Sequence, residues 1–238
     1  MKLWKKSGKK WQNLIRFFYG RVNLQLRIDL HVHTRYSYDS LIRPKELVFY
    51  SKKRRLDGVA ITDHDTIEGV SEIAKETDIV IIPGIEVTSS EGHILGLNVH
   101  ENIPKKLNSD ETVDKIHAAG GIAIACHPAA FLKISLGKNM NSKFDAVEVI
   151  NSSAFPFEYS VRHSQQIASR LGISQVAGSD AHYAPEIGYA YTVVDAELEV
   201  GSIMKAISKG LCKPFGEAIP LRMRLKREFL ILKRKFQF

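Results

Sequence analysis

The chain alternates short apolar runs with longer amphipathic stretches. The runs cover 27–33, 57–62, 79–83, 93–99, 121–126, 145–150 and 173–177, with a further one at 189–194. Their length and their Val, Ile and Ala content read as β-strands. Helices with recognisable ends lie between several of them. Pro44 suits the first turn of a helix running to about Arg54, Ser109 or Asp110 can cap one that stops at Gly120, and Gly172 terminates one that begins near Phe157. A last helix is expected around Val200 to Lys209. Strands alternating with helices imply parallel βαβ units, and seven of them in one domain predict an α/β barrel, closed or nearly so.

The two ends follow a different pattern. In residues 1–21, Trp4, Trp11, Leu14, Ile15 and Phe18 recur at roughly helical spacing among Lys and Arg, as in a basic amphipathic helix. Near the C-terminus, Leu221, Leu225, Phe229, Leu232 and Phe236 form a second such stripe, able to pack on the first or to remain a solvated tail. The expected organisation is an N-terminal segment 1–21, a central domain 22–219 and a tail 220–238. Nothing resembles an interdomain linker or an internal repeat.

Composition narrows the class. At 238 residues, with 44% hydrophobic and 25% charged residues, the chain can bury a substantial single core. No apolar run approaches the ~20 residues a membrane-spanning helix requires. Cys126 and Cys212 make no disulfide framework, and the N-terminus lacks the continuous apolar region of a signal peptide, so a reducing cytoplasm is expected. The net charge of +8 is uneven: residues 1–21 carry seven basic residues and no acid, and residues 220–238 carry seven and Glu228. The middle is therefore acidic, which suits a cation-binding site between ends that meet nucleic acid or an anionic membrane surface.

The candidate chemistry sits at the ends of the apolar runs. His31 and His33, two apart on a strand, point the same way and can grip one metal ion. A lone His-x-His proves little: nine histidines in 238 residues give roughly one third of a match by chance. The company is what matters, because the later runs end at Asp63-His64-Asp65, Glu86, His127 and Asp180 with His182. Parallel α/β barrels assemble their sites at the C-terminal ends of the strands. His93 instead opens its run and would reach the same mouth if that strand were short or reversed. A packed core would otherwise absorb these groups at several kcal/mol for each unpaired charge, a cost that metal ions remove. Imidazoles and carboxylates without thiolate favour Mn, Fe or Zn.

The segments Asp29-Leu30-His31-Val32-His33 with Asp39, Ile61-Thr62-Asp63-His64-Asp65-Thr66, Gly84-Ile85-Glu86 with Gly92-His93-Ile94-Leu95-Gly96, Cys126-His127-Pro128 and Gly178-Ser179-Asp180-Ala181-His182 resemble, in order, the motifs of the PHP (polymerase and histidinol phosphatase) superfamily of metal-dependent phosphoesterases. The resemblance implies a distorted, TIM-like (β/α)7 barrel with a trinuclear metal centre at the C-terminal ends of the strands. By position, one ion would take His31, His33, Glu86 and Asp180, the second Glu86 as a bridge with His93 and His127, and the third Asp39, His64 and His182. Asp39 stands where histidinol-phosphatase members commonly carry histidine, and so resembles the branch of nucleotide phosphatases and small exonucleases. Longer members of that branch insert a helical subdomain after the strand bearing His93. Here only 34 positions separate His93 from His127, so a more open site is expected.

Clustered divalent ions can bridge a hydroxide, neutralise phosphate oxygens and stabilise a leaving oxygen, so phosphate ester hydrolysis is the expected reaction, and the resemblance to that branch implies nucleotides or short oligonucleotides as substrates. Asp65 is the candidate proton donor to the leaving group, with helix capping as its structural alternative. Arg35 is a candidate phosphate clamp and catalytic residue, and Arg162 and His163 are candidate substrate contacts after the sixth strand. Lys133 and Lys138 lie in the long loop after His127, which could cover the substrate, although a solvated loop is the plainer reading. The competing functions are a phosphatase of a small metabolite such as histidinol phosphate, a hydrolase of C–N bonds, and a non-catalytic metal-stabilised module whose basic ends bind nucleic acid or a membrane.

Overall fold

The computed structural model describes residues 24–73, 77, 79–131 and 133–236. The basic segment expected at 1–21 lies outside the described residues. Among the described residues nine strands form one sheet: β1 Leu24–Val32, β2 Gly58–Ile61, β3 Val80–Thr88, β4 His93–Leu97, β5 Ile122–Ala125, β6 Ala146–Asn151, β7 Ser174–Gly178, β8 Ala190–Ala196 and β9 Cys212–Gly216. The helices are α1 Pro44–Lys53, α2 Glu68–Ile73, α3 Ser109–Ala118, α4 Phe157–Leu171, α5 Val200–Ser208 and α6 Leu221–Lys235. The strand order is β7-β6-β5-β4-β3-β2-β1-β8-β9.

The sheet curls until its β7 end meets β1. Asp180, just past β7, donates its N–H to the His31 carbonyl at 2.8 Å, and His33 donates to that of Ala181 at 3.0 Å. The chain is therefore an α/β protein with a nearly closed barrel-shaped sheet. Strict βαβ alternation, however, does not hold. β3 and β4 form an antiparallel hairpin, β4 and β5 are also antiparallel, and β5 reaches β6 through a loop containing a single 3-10 turn at Gly137–Asn139. Beyond β7 the chain adds β8 antiparallel to β1, and β9, which the sequence pattern did not announce, antiparallel to β8.

Local sequence explains the helix ends. Pro44 opens α1, and Glu46 turns back to accept the Arg43 N–H at 3.0 Å. In α3 the cap is Asn108, not Ser109 or Asp110: its side chain accepts the Glu111 N–H at 2.8 Å while Glu111 accepts that of Asn108. Asn108 wins because Glu111 stands three residues after it and completes a reciprocal box. Gly172 ends α4 at φ 67°, as expected of a residue that enters the left-handed region without penalty.

The core has three parts. Leu26, Ala60, Ile82, Leu95, Ile124, Val176 and Val194 from the strands join Ile203, Met204 and Ile207 of α5. Val113 and Ile116 of α3 and Ala168 of α4 pack with residues of β3 to β6. Leu47 of α1 and Ile73 of α2 meet Val59 and Ile61 of β2. Burying each large aliphatic side chain contributes about 1.5–3 kcal/mol, which leaves the strand ends free to carry polar groups.

The second basic amphipath forms α6 and is held against the domain. Its Arg224 guanidinium donates to the carbonyls of Ile219, Ser152, Ser153 and Ala154, and that of Arg234 to those of Tyr38 and Ser40. No helix among the described residues is long and apolar enough to cross a membrane.

Candidate metal centre

All nine residues singled out as metal ligands meet at one end of the barrel. His31, His33, Glu86, His127 and Asp180 are buried, and His64, His93 and His182 lie just inside the opening. Glu86 is central. Its Oε2 lies 3.3 Å from His31 Nε2, 3.1 Å from His33 Nε2 and 3.3 Å from His64 Nδ1, while Oε1 lies 2.9 Å from His93 Nδ1 and 3.2 Å from His127 Nε2. The carboxylate thus has a different histidine group on each oxygen. Asp180 Oδ1 is 3.5 Å from His31 Nε2 and 3.4 Å from His33 Nε2. Asp39 Oδ2 is 3.5 Å from His64 Nε2 and 3.3 Å from His182 Nε2.

The strands dictate this meeting. β1 delivers His31 and His33 on one face, and the loop after β2 brings His64 into bridge pairing with Glu86. Antiparallel pairing sets His93, the first residue of β4, opposite Thr88, the last of β3. The reversed strand therefore brings His93 to the mouth shared by the other residues.

Hydrogen bonds behind the cluster orient the imidazoles. His31 Nδ1 donates to Glu148 Oε1 at 3.0 Å, His33 Nδ1 to Ser37 Oγ at 3.0 Å and His182 Nδ1 to the Asp180 carbonyl at 3.0 Å. Ser37 Oγ in turn donates to Asp63 at 2.9 Å, so Asp63 supports the loop rather than the cluster. With Nδ1 engaged, Nε2 of each ring presents its lone pair inward.

The donor set fits divalent cations. His31 Nε2 and His33 Nε2 are 3.1 Å apart, so two inward lone pairs repel unless a positive charge is shared between them. Asp39 Oδ1, His64 Nδ1 and His127 Nδ1 are buried without a hydrogen-bond partner. Ligand atoms of His31, His33 and Glu86, of His64, Glu86 and His93, and of His33, His64 and His182 each fall within 4.8 Å of one another. Burial works to raise the Glu86 carboxyl, yet His31, His64 and the hydrogen bond from His127 hold it well below the usual carboxylate range. Burial likewise opposes ionisation of Asp180, and Lys133 and His31 overcome it. Burial and Glu86 push the Cys126 thiol up, and this thiol donates to Glu86 Oε1 at 3.4 Å, which keeps it inert.

Other candidate residues have partners outside the cluster. The Arg35 guanidinium pairs with Glu72 at 2.7 Å, on an exposed cleft beside α1, and makes no contact with the cluster among the described residues. A long side chain beside a ligand is free to turn outward, and a surface carboxylate drew it there. Arg162 is exposed on α4, and His163 is bonded to the Tyr159 carbonyl at 2.8 Å and stacked on its ring, so neither touches the cluster. Asp65 lies at the mouth, where Tyr38 is raised by partial burial and then by Asp39, Glu86 and Asp65, but its Oδ1 accepts the Thr88 N–H at 2.8 Å.

Two residues, Glu148 and Asn151, were not singled out in advance, and Lys133 is placed otherwise than expected. Glu148, buried on β6, accepts from His31, from the His127 N–H at 2.9 Å and from Asn151 Nδ2 at 2.8 Å. Asn151 also donates to Asp180 at 3.1 Å. Lys133, which the sequence placed in a solvated loop, puts its ammonium on Asp180 Oδ2, with the side chain 22% exposed. For Glu148 a signal existed, since an acid in the middle of an apolar strand needs partners as much as Glu86 does. For Lys133 the signal was no more than its place in the loop after His127.

A family model described as PHP-associated matches residues 159–212. An uncharacterized protein of Methanocaldococcus jannaschii is 38% identical over 141 residues, covering 53% of this chain and 82% of that protein. A 5'-3' exoribonuclease of Haemophilus influenzae is 40% identical over 86 residues, which span 33% of this chain and 31% of the enzyme. Among solved structures, a two-domain protein of Bacteroides vulgatus, described as containing a predicted PHP-like metal-dependent phosphoesterase, superposes with a TM-score of 0.70 at 16% identity, over 87% of this chain and 70% of that one. At that identity the likeness is one of fold.

Proposed function

We propose that this chain, which belongs to the PHP superfamily of metal-dependent phosphoesterases, hydrolyses phosphate esters of nucleotides or short oligonucleotides. The observation that carries the substrate class is the aromatic rim. Tyr38, 71% exposed, stacks on His64 with centroids 5.2 Å apart. In the loop that follows His127, Phe131, 63% exposed, packs on Tyr159 at 4.5 Å and donates its N–H to the carbonyl of Phe155, which is also exposed. Aromatic faces next to a phosphate site suit nucleobases, and stacking supplies about 1–3 kcal/mol per base. The matched part of the exoribonuclease supports the same class, although it spans under a third of that enzyme.

In this reading His31, His33, Glu86 and Asp180 hold one divalent ion, Glu86, His93 and His127 a second, and Asp39, His64 and His182 a third, with Mn, Fe or Zn suited to the donors. Ions bound there supply Lewis acidity and neutralise phosphate charge. The chain's own groups do the rest. Glu148, Ser37 and the Asp180 carbonyl fix the ring orientations, so the donors need not reorganise on binding. Lys133 adds positive charge on the substrate side of Asp180. Asp65, anchored by Thr88, remains the candidate proton donor, its Oδ2 3.8 Å from Lys105 Nζ.

The test compares kcat/KM of Mn-loaded protein for a nucleoside monophosphate and a 5'-phosphorylated dinucleotide with that for histidinol phosphate and glycerol phosphate. The base-bearing substrates are expected to exceed the others by about tenfold or more, and Tyr38→Ala to remove most of that advantage without changing turnover of glycerol phosphate. Equal rates on all four, or preference for histidinol phosphate, overturn the nucleotide assignment. No hydrolysis of any of them overturns the enzymatic reading.

A further inference from the structure

Helix α6 has two faces with different tasks. Inward, Arg224, Arg227, Ile231 and Arg234 bind the loops that surround the metal centre. Outward, Leu221, Leu225, Phe229, Leu232 and Phe236 are each more than half exposed. At about 100° per residue these five fall within an arc of about 80°, a continuous apolar ridge along a helix some 22 Å long. Exposed Arg222, Lys226 and Lys233 flank one side of the ridge and Lys235 the other, and Glu228 is the one acid in the helix.

Charge decides what covers this face. A second copy would set the same excess of basic residues against itself, and residues 1–21 carry seven basic residues and no acid, so either pairing is repulsive. A nucleic acid would satisfy the lysines, but phosphates and bases offer little to Leu221, Leu225 and Leu232, which have no aromatic face for stacking. An anionic bilayer satisfies both halves, since acyl chains take the ridge and headgroup phosphates take the flanking cations. We infer that α6 docks the protein on an anionic lipid surface, lying in the interface with its leucines and phenylalanines inserted. Because the same helix holds the loops of Asp39 and of Asn151, docking brings the mouth of the barrel close to that surface.

The test is co-sedimentation of the full chain with vesicles of phosphatidylcholine alone and of phosphatidylcholine mixed equally with phosphatidylglycerol, without substrate, so its outcome is independent of the hydrolytic assignment. Binding is expected to the mixed vesicles and not to the neutral ones. Lys226→Gln and Lys233→Gln are each expected to weaken it about fivefold. The pair Leu225→Asp and Phe229→Asp, both on the exposed side and outside the metal centre, is expected to lower it by tenfold or more while the melting temperature is kept. Mixed-vesicle binding that survives the aspartate pair overturns the proposal, as does no vesicle binding. A dimer that the aspartate pair converts to monomer assigns the face to a second copy instead, and tight binding of oligouridylate lost in the same pair assigns it to nucleic acid.

Discussion

Glu148→Gln tests whether a residue that touches no ion can govern the metal centre. The carboxylate accepts three hydrogen bonds, one on Oε1 from His31 and two on Oε2 from His127 and Asn151. A glutamine has one acceptor oxygen. Keeping it where two donors converge places the NH2 group against His31 Nδ1, where two donors would face each other. The ring relieves this by moving its proton to Nε2, the atom 3.1 Å from His33 Nε2 and 3.3 Å from Glu86 Oε2. His31 then no longer offers a lone pair to the cluster. Loss of such an orienting partner typically lowers metal affinity 10–100-fold, or about 1.4–2.7 kcal/mol. Calorimetric titration of Mn into chelator-stripped protein should show this weakening. The gain in stability on adding saturating Mn should shrink by the same amount in thermal melts. Parental affinity and stoichiometry in the variant would refute the tautomer argument, because shape is conserved and only the acceptor is lost.

Glu86→Gln keeps the size of the central carboxylate but not its charge, so kcat should drop by at least ~100-fold, about 2.7 kcal/mol, with Mn content reduced by elemental analysis. Gly178→Ala would set a Cβ against His31 Cβ and 2.7 Å from Glu148 Oε1, and should cost about 1–3 kcal/mol in denaturant unfolding; an unchanged midpoint would show that β7 and β1 do not approach as described. Arg227→Met strips the pair from Glu186, which is fully buried and bonded to the His182 N–H at 3.1 Å, and should destabilise by about 3 kcal/mol, part of which Glu186→Gln in the same chain restores. Burial pushes the Asp29 carboxyl up to about 6 against the unfolded value near 3.9, so its contribution to stability is present below pH ~4 and lost as pH rises through 6, roughly 3 kcal/mol. Urea titrations of parent and Asp29→Asn should differ by an amount that changes across that window and is constant above it.

Most of the clustered residues were legible in the sequence because they are polar residues of ligating type at the ends of apolar runs, a combination that a core without cations would not tolerate, whereas Asp39 entered only through the resemblance. Their convergence followed from the architecture, except for His93, which the reversed β4 delivers. The surrounding groups were not legible to the same degree. Arg35 and Lys133 both carry long flexible stems, and sequence position fixes only where the stem starts. Arg35 lies two residues after His33 and turns to Glu72, whereas Lys133 lies in a loop and reaches Asp180. Proximity in sequence therefore misled for one and was silent for the other. α6 was legible as an amphipath but not as a clamp, since its three inward arginines bond mostly to backbone carbonyls of distant loops, which leave no pattern in the side chains.

The reversal of β4 is the feature on which the completeness of the cluster depends. The residue pattern offers an apolar run that opens, rather than ends, with a histidine, while the other runs that carry a candidate ligand end with it. In a parallel strand the first of five residues would sit roughly 14 Å below the mouth at about 3.4 Å per residue, out of reach of Glu86. A crossover helix would be needed to return the chain for parallel pairing, and only four residues, 89–92, lie between β3 and β4. Ser89 turns the chain, its hydroxyl accepting the N–H of Glu91 at 3.2 Å and of Gly92 at 3.0 Å. The short connection thus forces a hairpin, the hairpin reverses the strand, and the reversed strand delivers His93 to Glu86 Oε1 at 2.9 Å. A histidine at the start of a strand that follows so tight a turn is, by this geometry, equivalent to one at the end of a parallel strand.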